Sequence, residues 1–168
     1  MLKAGDTLPD GKLSEALEFD SATGCPLNPS DVGVAAITKG RRIVIFALPG
    51  AYTPTCSMKH LPGYLRHFDQ FKAKGVDEIW CVATNDAFVM AAWGRDQHAT
   101  GKVRMLGDGS AAWTRALGLE LDLTARGMGV RSQRFSMLVD DGVVRQLNVE
   151  GPGKFEVSDA ETMLKQLG

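Results

Sequence analysis

One cysteine lies in a sequence setting that favours chemistry at sulfur. The stretch Pro49–Cys56 (PGAYTPTC) follows the apolar run Ile43–Leu48, which predicts a buried strand. Thr53 can cap a helix and Pro54 suits its first position, so that Cys56 falls in the first turn. Backbone N–H groups at a helix start lack partners and favour a thiolate, the reactive form of cysteine. The sequence therefore predicts a strand, a tight turn and a nucleophilic cysteine.

Length and composition limit the classes of protein to which the chain can belong. Its 168 residues suit one domain, 1–168, and its 44% hydrophobic and 23% charged residues are typical of globular proteins. A net charge of −1 gives no reason to expect nucleic acid or an anionic membrane as partner. No apolar run approaches the roughly 20 residues that cross a bilayer, and the N-terminus lacks the apolar core of a secretion signal. We therefore expect a cytoplasmic protein without membrane association.

The cysteine count argues against both a disulfide framework and a metal site. Cys25, Cys56 and Cys81 are the three cysteines, and reduced thiols in a reducing compartment are the simpler interpretation. No C-x-x-C pair exists, and Cys56 with His60 would supply only two of the four ligands of a structural zinc site. We expect no metal and no cofactor.

Hydrophobic periodicity predicts the elements that must hold Cys56 in place. Pro62 is expected to bend or interrupt the helix that carries Cys56, and Gly75 to end it. Asn85 or Asp86 is expected to cap the next helix. The predicted elements of this part are strands over 43–48, 79–84 and 103–106, and helices over 54–74, about 86–98 and 110–117.

The two ends of the chain complete the prediction of fold class. Residues 20–40 are rich in turn formers and predict a loop with short extended pieces. Residues 133–150 predict a hairpin with its turn at Asp141-Gly142, and Ser158 is expected to cap a final helix. This order predicts an α/β protein with a central mixed sheet, an antiparallel hairpin at its edge and helices on both faces. The arrangement is thioredoxin-like with an inserted segment.

The motif Pro49-x-x-x-Thr53-x-x-Cys56 resembles the active-site motif of the peroxiredoxins, and its continuation through residues 57–63 looks like the type II, or atypical, subfamily. Segments 82–89, 107–109 and 134–142 agree in order and spacing, so the resemblance covers nearly the whole chain. It implies a thioredoxin-like fold with peroxiredoxin-type insertions and no prosthetic group. It also implies a thiol-dependent peroxidase that reduces hydrogen peroxide and alkyl hydroperoxides through a cysteine sulfenic acid, in antioxidant defence, commonly as a homodimer.

A thiolate at Cys56 needs more stabilisation than a helix start supplies. A free thiol titrates near pH ~8.5, and lowering that by two or three units requires about 3–4 kcal/mol. A helix N-terminus contributes about 0.3–1 kcal/mol, so a cation is required. Arg134 is the candidate, because the alternation of the strand that follows points it to the face from which it can reach the helix start. The resemblance gives the matching arginine this role, and Arg131 is the alternative.

Five further residues have both a functional and a structural interpretation. The Thr53 hydroxyl either caps the helix or binds a peroxide oxygen, as the resemblance implies for the matching threonine. Pro49 either ends the strand or shapes the turn and shields the sulfur from water. Tyr52 and Phe135 either wall the substrate pocket or are ordinary core aromatics. His60 either bonds near the site or makes a structural contact on the helix.

A sulfenic acid at Cys56 must condense with a second thiol. Some type II members have a second cysteine at the place of Cys81, but a disulfide needs Cα atoms roughly 4.4–6.8 Å apart, so the helical turn at Cys56 would have to unwind. The subgroup with an internal resolving cysteine carries it near the C-terminus, where Phe155–Ser158 contains none. These observations favour an external thiol, either glutaredoxin with glutathione or thioredoxin. Cys25 lies in a turn-rich loop.

Two other functions remain open at this point. A thiol–disulfide oxidoreductase of the same fold would need a second cysteine at position 59, where the chain has Lys59. A peroxide-sensing or chaperone-like redox protein would use the same Cys56, and the sequence leaves this open as an added role.

Overall fold

A seven-stranded mixed sheet forms the centre of the protein, and the computed structural model describes residues 1–168. The strands are β1 (Lys12–Glu15), β2 (Glu18–Phe19), β3 (Pro26–Leu27), β4 (Ser30–Gly33), β5 (Arg42–Ala47), β6 (Glu78–Ala83), β7 (Val103–Gly107), β8 (Glu120–Leu123), β9 (Gly129–Ser132), β10 (Phe135–Asp140) and β11 (Val143–Val149). The α-helices are α1 (Val34–Thr38), α2 (Leu61–Arg66), α3 (Phe68–Ala73), α4 (Ala87–Asp96), α5 (Ala112–Leu117) and α6 (Ala160–Leu167). None of these helices has the length and apolar character that spanning a membrane requires.

The strand order of the large sheet is β11-β10-β5-β6-β7-β1-β4. Strands β5, β6 and β7 are parallel, and β10 pairs antiparallel with β5. The predicted α/β class with a central mixed sheet, a parallel core and an antiparallel hairpin at one edge is confirmed. The turn of that hairpin lies at Asp141 and Gly142, which both have positive φ as a tight two-residue turn requires.

The alternation of side chains along the strands separates two hydrophobic cores. Val44 and Phe46 of β5 pack on one face with α2, α3, α4 and α6, whereas Ile43 and Ile45 pack on the other with α1 and α5. Cys56 belongs to the first of these cores. A side chain at the sheet therefore reaches the cysteine only if it lies on the face of Val44 and Phe46.

The sequence predicts the short outer strands only in part. Strands β1 and β4 form the second edge of the large sheet; β4 lies in the segment 20–40, where short extended pieces were expected, whereas β1 was not predicted. Strands β8 and β9 form a separate hairpin that the sequence did not predict. Most of their residues are exposed or only half-buried, so they lack the apolar run that identifies a central strand.

Two predictions about helix boundaries are wrong. The helix predicted over 54–74 is broken at His67, where φ is −100° and ψ is 13°. The last helix is capped by Asp159, whose side chain accepts a hydrogen bond from the Thr162 N–H, and not by Ser158. The hydroxyl of Ser158 donates instead to the Glu150 carboxylate at 2.7 Å.

Candidate active site

The register of two strands brings Arg134 to Cys56. Phe135 of β10 lies opposite Ala47 of β5, so that the residue before β10 meets the chain where it leaves β5. Leu138 packs on the same face of the sheet as Cys56. Arg134 precedes Leu138 by an even number of positions, so its side chain points to that face as well. Two residues separated by 78 positions are thereby placed in contact.

The turn that holds Cys56 is wider than a regular α-helical turn. The helical segment begins at Pro54, and residues Cys56–His60 form a π-helical turn in which the Leu61 N–H donates to the Cys56 carbonyl. Pro62 has no N–H, and its ring would collide with the carbonyl four residues earlier in a regular helix. The wider turn makes room for that ring, so Pro62 alters the helix before it rather than bending it at its own position.

The guanidinium of Arg134 is the positive charge beside the sulfur. Its Nη2 lies 3.2 Å from the Cys56 Sγ, and its Nη1 lies 2.9 Å from the His60 Nδ1. Neither partner is a carboxylate, so the charge remains available to stabilise a thiolate. The Cys56 side chain has no exposed surface, and a charge pair shielded from water interacts more strongly than one at the surface.

His60 is held neutral and orients the arginine. Its Nε2 lies 3.0 Å from the Ser158 carbonyl oxygen, which only accepts, so Nε2 carries the proton and Nδ1 accepts from Arg134. Burial and the positive charge of Arg134 lower the pKa of His60 to about 3. A neutral histidine accepts a hydrogen bond without competing with the thiolate for the charge.

Glu150 organises the segment that supports His60. Its carboxylate accepts hydrogen bonds from the backbone N–H groups of residues 156–158 and from the Ser158 hydroxyl. Burial acts to raise the pKa of Glu150, but these hydrogen bonds outweigh it and hold the pKa below its usual value. A continuous series of contacts therefore runs from Glu150 through Ser158, His60 and Arg134 to Cys56.

The turn before the helix is held from three sides. The Asn85 Oδ1 accepts from the Ala51 N–H at 2.9 Å, and the Arg131 Nη1 donates to the Pro49 carbonyl at 3.0 Å. Arg131 also occupies the space that a Cβ at Gly50 would fill. The third contact is made by Thr53, whose hydroxyl donates to the Gly50 carbonyl at 2.7 Å. The Thr53 side chain therefore does not cap the helix, although its carbonyl accepts the first intrahelical bond, from the Ser57 N–H.

A cavity of about 610 Å³ opens beside the site. Pro49, Thr55, Arg134 and Phe155 are among the residues that line it. The Phe155 ring lies 5.8 Å from the Arg134 guanidinium and 5.0 Å from the His60 ring. A small molecule in this cavity would meet the guanidinium that contacts the sulfur.

Three of the predicted pocket residues, His60, Tyr52 and Phe135, do not line this cavity. Tyr52 is 54% exposed, and its hydroxyl donates to the Asp96 Oδ2 on α4. Phe135 is buried in the core on the opposite face of the sheet from Cys56. The prediction that these aromatics wall the pocket is wrong, since the left-handed backbone of Tyr52 and the strand parity of Phe135 turn their rings away.

The other two cysteines lie in contrasting places. Cys81 is fully buried on β6 in the same core as Cys56, and Cys25 is exposed beside the short strand β3. All three thiols are free. No group of three or more histidine, cysteine or acidic side chains is arranged to hold a metal ion.

Sequence reasoning missed three residues that shape the site. Glu150 and Phe155 follow the last strand, and Asn85 was considered only as a helix cap, a role that Asp86 fills. A glutamate at the end of an apolar strand, followed by a glycine-rich loop, was the available signal for Glu150. Nothing in the local sequence indicates that Phe155 packs against Arg134.

The arrangement suits displacement at an electrophilic atom by sulfur. A buried sulfur lies beside an unpaired cation at a helix start, next to a cavity that a small molecule can enter. The cation can serve both the attacking sulfur and the atom that leaves with negative charge.

Comparisons with known proteins agree with this chemistry. Residues 3–164 match the Redoxin family. Peroxiredoxin-2B of Arabidopsis thaliana is 45% identical over 166 residues, which covers 99% of this chain and 98% of that protein. The crystal structure of reduced Prx3 from Vibrio vulnificus in complex with H₂O₂ is 49% identical, covers 100% of both chains and has a TM-score of 0.90. The oxidised Prx3 structure from the same organism is 50% identical over 99% of both chains, with a TM-score of 0.85.

Proposed function

The chain belongs to the Redoxin family as a type II peroxiredoxin and is a thiol-dependent peroxidase; from this premise we propose that Cys56 is the residue that peroxide oxidises. The observation that carries the proposal is the 3.2 Å contact between the Arg134 Nη2 and the Cys56 Sγ. Cys56 is the cysteine with a cation against its sulfur, and thiolate character determines the reactivity of a thiol.

The reaction at this site is an in-line displacement. The Cys56 thiolate attacks the terminal oxygen of the peroxide, an S–O bond forms and the O–O bond breaks. The sulfur is oxidised to a sulfenic acid, and the leaving oxygen takes up a proton to become water or an alcohol. Arg134 stabilises the charge on the sulfur before the attack and the charge on the departing oxygen afterwards.

Thr53 contributes an oriented oxygen. Because its hydroxyl proton is directed at the Gly50 carbonyl, the lone pairs of Oγ1 are free to accept a hydrogen bond from the peroxide O–H. Thr53 thereby aligns the O–O bond, while Arg134 donates to its oxygens. Pro49 and Phe155 keep water from the thiolate.

An external thiol completes the cycle. Cys81 has no exposed surface and lies within a central strand, where neighbouring strands fix its backbone. The C-terminal segment contains no cysteine. Glutaredoxin with glutathione, or thioredoxin, therefore reduces the sulfenic acid, and a comparison of the two donors on the same oxidised protein identifies the physiological one.

The protein acts as a homodimer in the cytoplasm. A cycle that depends on reduced thiols requires a reducing compartment. Two large apolar side chains on the side of α4, Tyr52 and Phe88, are 54% and 45% exposed and offer a surface for a second copy. Sedimentation of wild type and of Phe88→Asp tests the dimer, which the introduced charge should dissociate.

Oxidation of the reduced protein by hydrogen peroxide without any reductant tests the role of Cys56. Wild type should gain one oxygen on Cys56, detected by mass after trapping of the sulfenic acid, and should turn over once glutaredoxin or thioredoxin is added. Cys56→Ser should show neither. Turnover by the serine variant, or trapping at Cys25 or Cys81, would reject the assignment.

A further inference from the structure

The cavity beside Arg134 is much larger than hydrogen peroxide requires. Its volume of about 610 Å³ lies within the range of roughly 300–1,000 Å³ that accommodates organic ligands, whereas hydrogen peroxide has only two heavy atoms. The cavity therefore has room for a substrate much larger than hydrogen peroxide.

The charges around this cavity are unevenly distributed. Besides Arg134, three cationic side chains line it, those of Lys59, Arg126 and Lys154, and all three are exposed. None of the three is paired with a carboxylate. The acidic side chains of the lining are Glu150, whose carboxylate is directed at its own loop, and Glu156. The opening of this cavity therefore has a positively charged rim, formed by Lys59, Arg126 and Lys154, although the net charge of the protein is −1.

Apolar side chains also line the cavity. Leu121 and Leu123 come from the β8–β9 hairpin, and Pro152 and Phe155 come from the loop after β11. Leu121 is 36% exposed, at a hairpin position that would also accommodate a polar residue. An apolar chain in the cavity would bury its surface against these side chains.

We propose that the substrates of this site include organic hydroperoxides that carry a carboxylate on an apolar chain, with Arg126 and Lys154 binding the carboxylate. The proposal rests on the peroxidase function of Cys56. The hydroperoxide group lies at Arg134, the apolar chain contacts Leu121, Leu123 and Phe155, and the carboxylate reaches the positive rim. Exposed cations act in this way as determinants of specificity and of encounter rate.

The chemical step balances with the hydroperoxide as sole oxidant. The Cys56 thiolate takes the terminal oxygen and becomes a sulfenic acid, while the O–O bond breaks. The remaining alkoxide takes one proton from solvent and leaves as the hydroxy acid. The carboxylate is unchanged, so it influences binding and not the bonds that form or break.

Single-turnover oxidation without a reductant tests the proposal on the intact protein. The probes are linoleic acid hydroperoxide, below the concentration at which it forms micelles, and its methyl ester, which lacks the charge. Wild type should oxidise faster with the acid than with the ester. The double variant Arg126→Gln/Lys154→Gln should lower this acid-to-ester rate ratio about fivefold, the change that two exposed ion pairs produce.

A matched control removes a charge elsewhere. Lys39 is exposed and precedes β5, at the opposite end of that strand from Pro49, so Lys39→Gln should leave the ratio unchanged. Added salt should lower the wild-type ratio toward that of the double variant.

The outcomes separate this proposal from the peroxidase assignment. An acid-to-ester ratio near one in wild type, with rapid oxidation by hydrogen peroxide, overturns the carboxylate proposal and leaves the peroxidase intact. Failure of every peroxide to oxidise Cys56 overturns both. A second arm varies glutathione, which also carries carboxylates, against tert-butyl hydroperoxide. If the double variant alters only the glutathione dependence, the rim binds the reductant and the proposal is rejected.

Discussion

Cys56 and Cys81 are two buried thiols of one hydrophobic core with opposite chemical environments. Both have no exposed surface and both are free. Cys56 accepts a hydrogen bond from the Arg134 guanidinium. Burial raises the pKa of the Cys81 thiol well above its usual value, and negative charge on Cys56 raises it further, although Arg134 acts to lower it.

The two thiols differ in where they lie relative to the strands of the sheet. Cys81 lies inside β6, with β5 and β7 on either side, so backbone and apolar side chains fill the space around it. Cys56 lies just beyond the end of β5, where the start of β10 delivers a cation. Burial shields both thiols from water, but only Cys56, beyond the end of β5, has a guanidinium in direct contact with its sulfur.

Removal of the guanidinium should give Cys56 an environment like that of Cys81. We expect Arg134→Met to lower the rate of peroxide reduction by about 100- to 1,000-fold, because a donor to both the sulfur and the leaving oxygen is lost. Arg145→Met, at an exposed position of β11, removes the same charge from the chain and serves as the control.

If Arg134→Met retains the rate of wild type, another cation stabilises the sulfur. Arg131 would then be the first to test. Its contact with the Pro49 carbonyl makes this outcome unexpected, because that bond directs the side chain at the turn.

Local patterns in the sequence were sufficient for the central elements. The apolar runs of β5 and β6 and the Asp141-Gly142 turn have local physical causes, and the structure contains all three. Strand parity also predicted the face of Arg134. The same parity, applied to Phe135, shows that this ring cannot wall the pocket, so the error there was one of interpretation and not of missing information.

The remaining parts of the site depend on contacts that no local pattern encodes. His60 receives its role from Arg134 and the Ser158 carbonyl, which are 74 and 98 positions away. The segment that carries Phe155 and Ser158 has its shape because its backbone N–H groups donate hydrogen bonds to the Glu150 carboxylate. The π-helical turn lies one turn before Pro62, because the proline ring would collide with a carbonyl of that turn in a regular helix. Predicting it from the sequence means assigning the steric effect of Pro62 to that earlier turn.

The contrast between Cys56 and Cys81 can also be tested at His60, because this residue can be replaced while Arg134 is kept. We expect His60→Phe, which accepts no hydrogen bond, to reduce peroxide turnover about tenfold by releasing one side of the Arg134 fork. His60→Asn keeps an oxygen acceptor near the position of Nδ1 and should recover much of that loss. Equal loss in both variants would show that the histidine acts through packing alone.

The pH dependence of stability gives a second measure of His60. The folded-state pKa of about 3 lies below the ordinary value of 6.5, so the unfolded chain binds the proton more readily. The stabilisation is complete above about pH 6.5 and is lost as the pH falls toward 3. Wild type should lose on the order of 1 kcal/mol of unfolding free energy per pH unit more than His60→Asn in denaturant titrations across this window. Parallel curves for the two proteins would contradict a buried neutral histidine.

Replacement of Cys81 should have the smallest effect, on stability and not on turnover. Cys81→Ala removes one buried sulfur from the centre of β6 and should lower the free energy of unfolding by about 1 kcal/mol. Peroxide turnover with an external thiol should stay at the wild-type value, since the Cys81 thiol is held protonated by its surroundings. If turnover instead stops after one equivalent of peroxide with sulfenic acid accumulating on Cys56, then Cys81 is the resolving thiol. The helical turn at Cys56 must in that case unwind during every cycle, and the two cysteines would differ in the order of their reactions and not in whether they react.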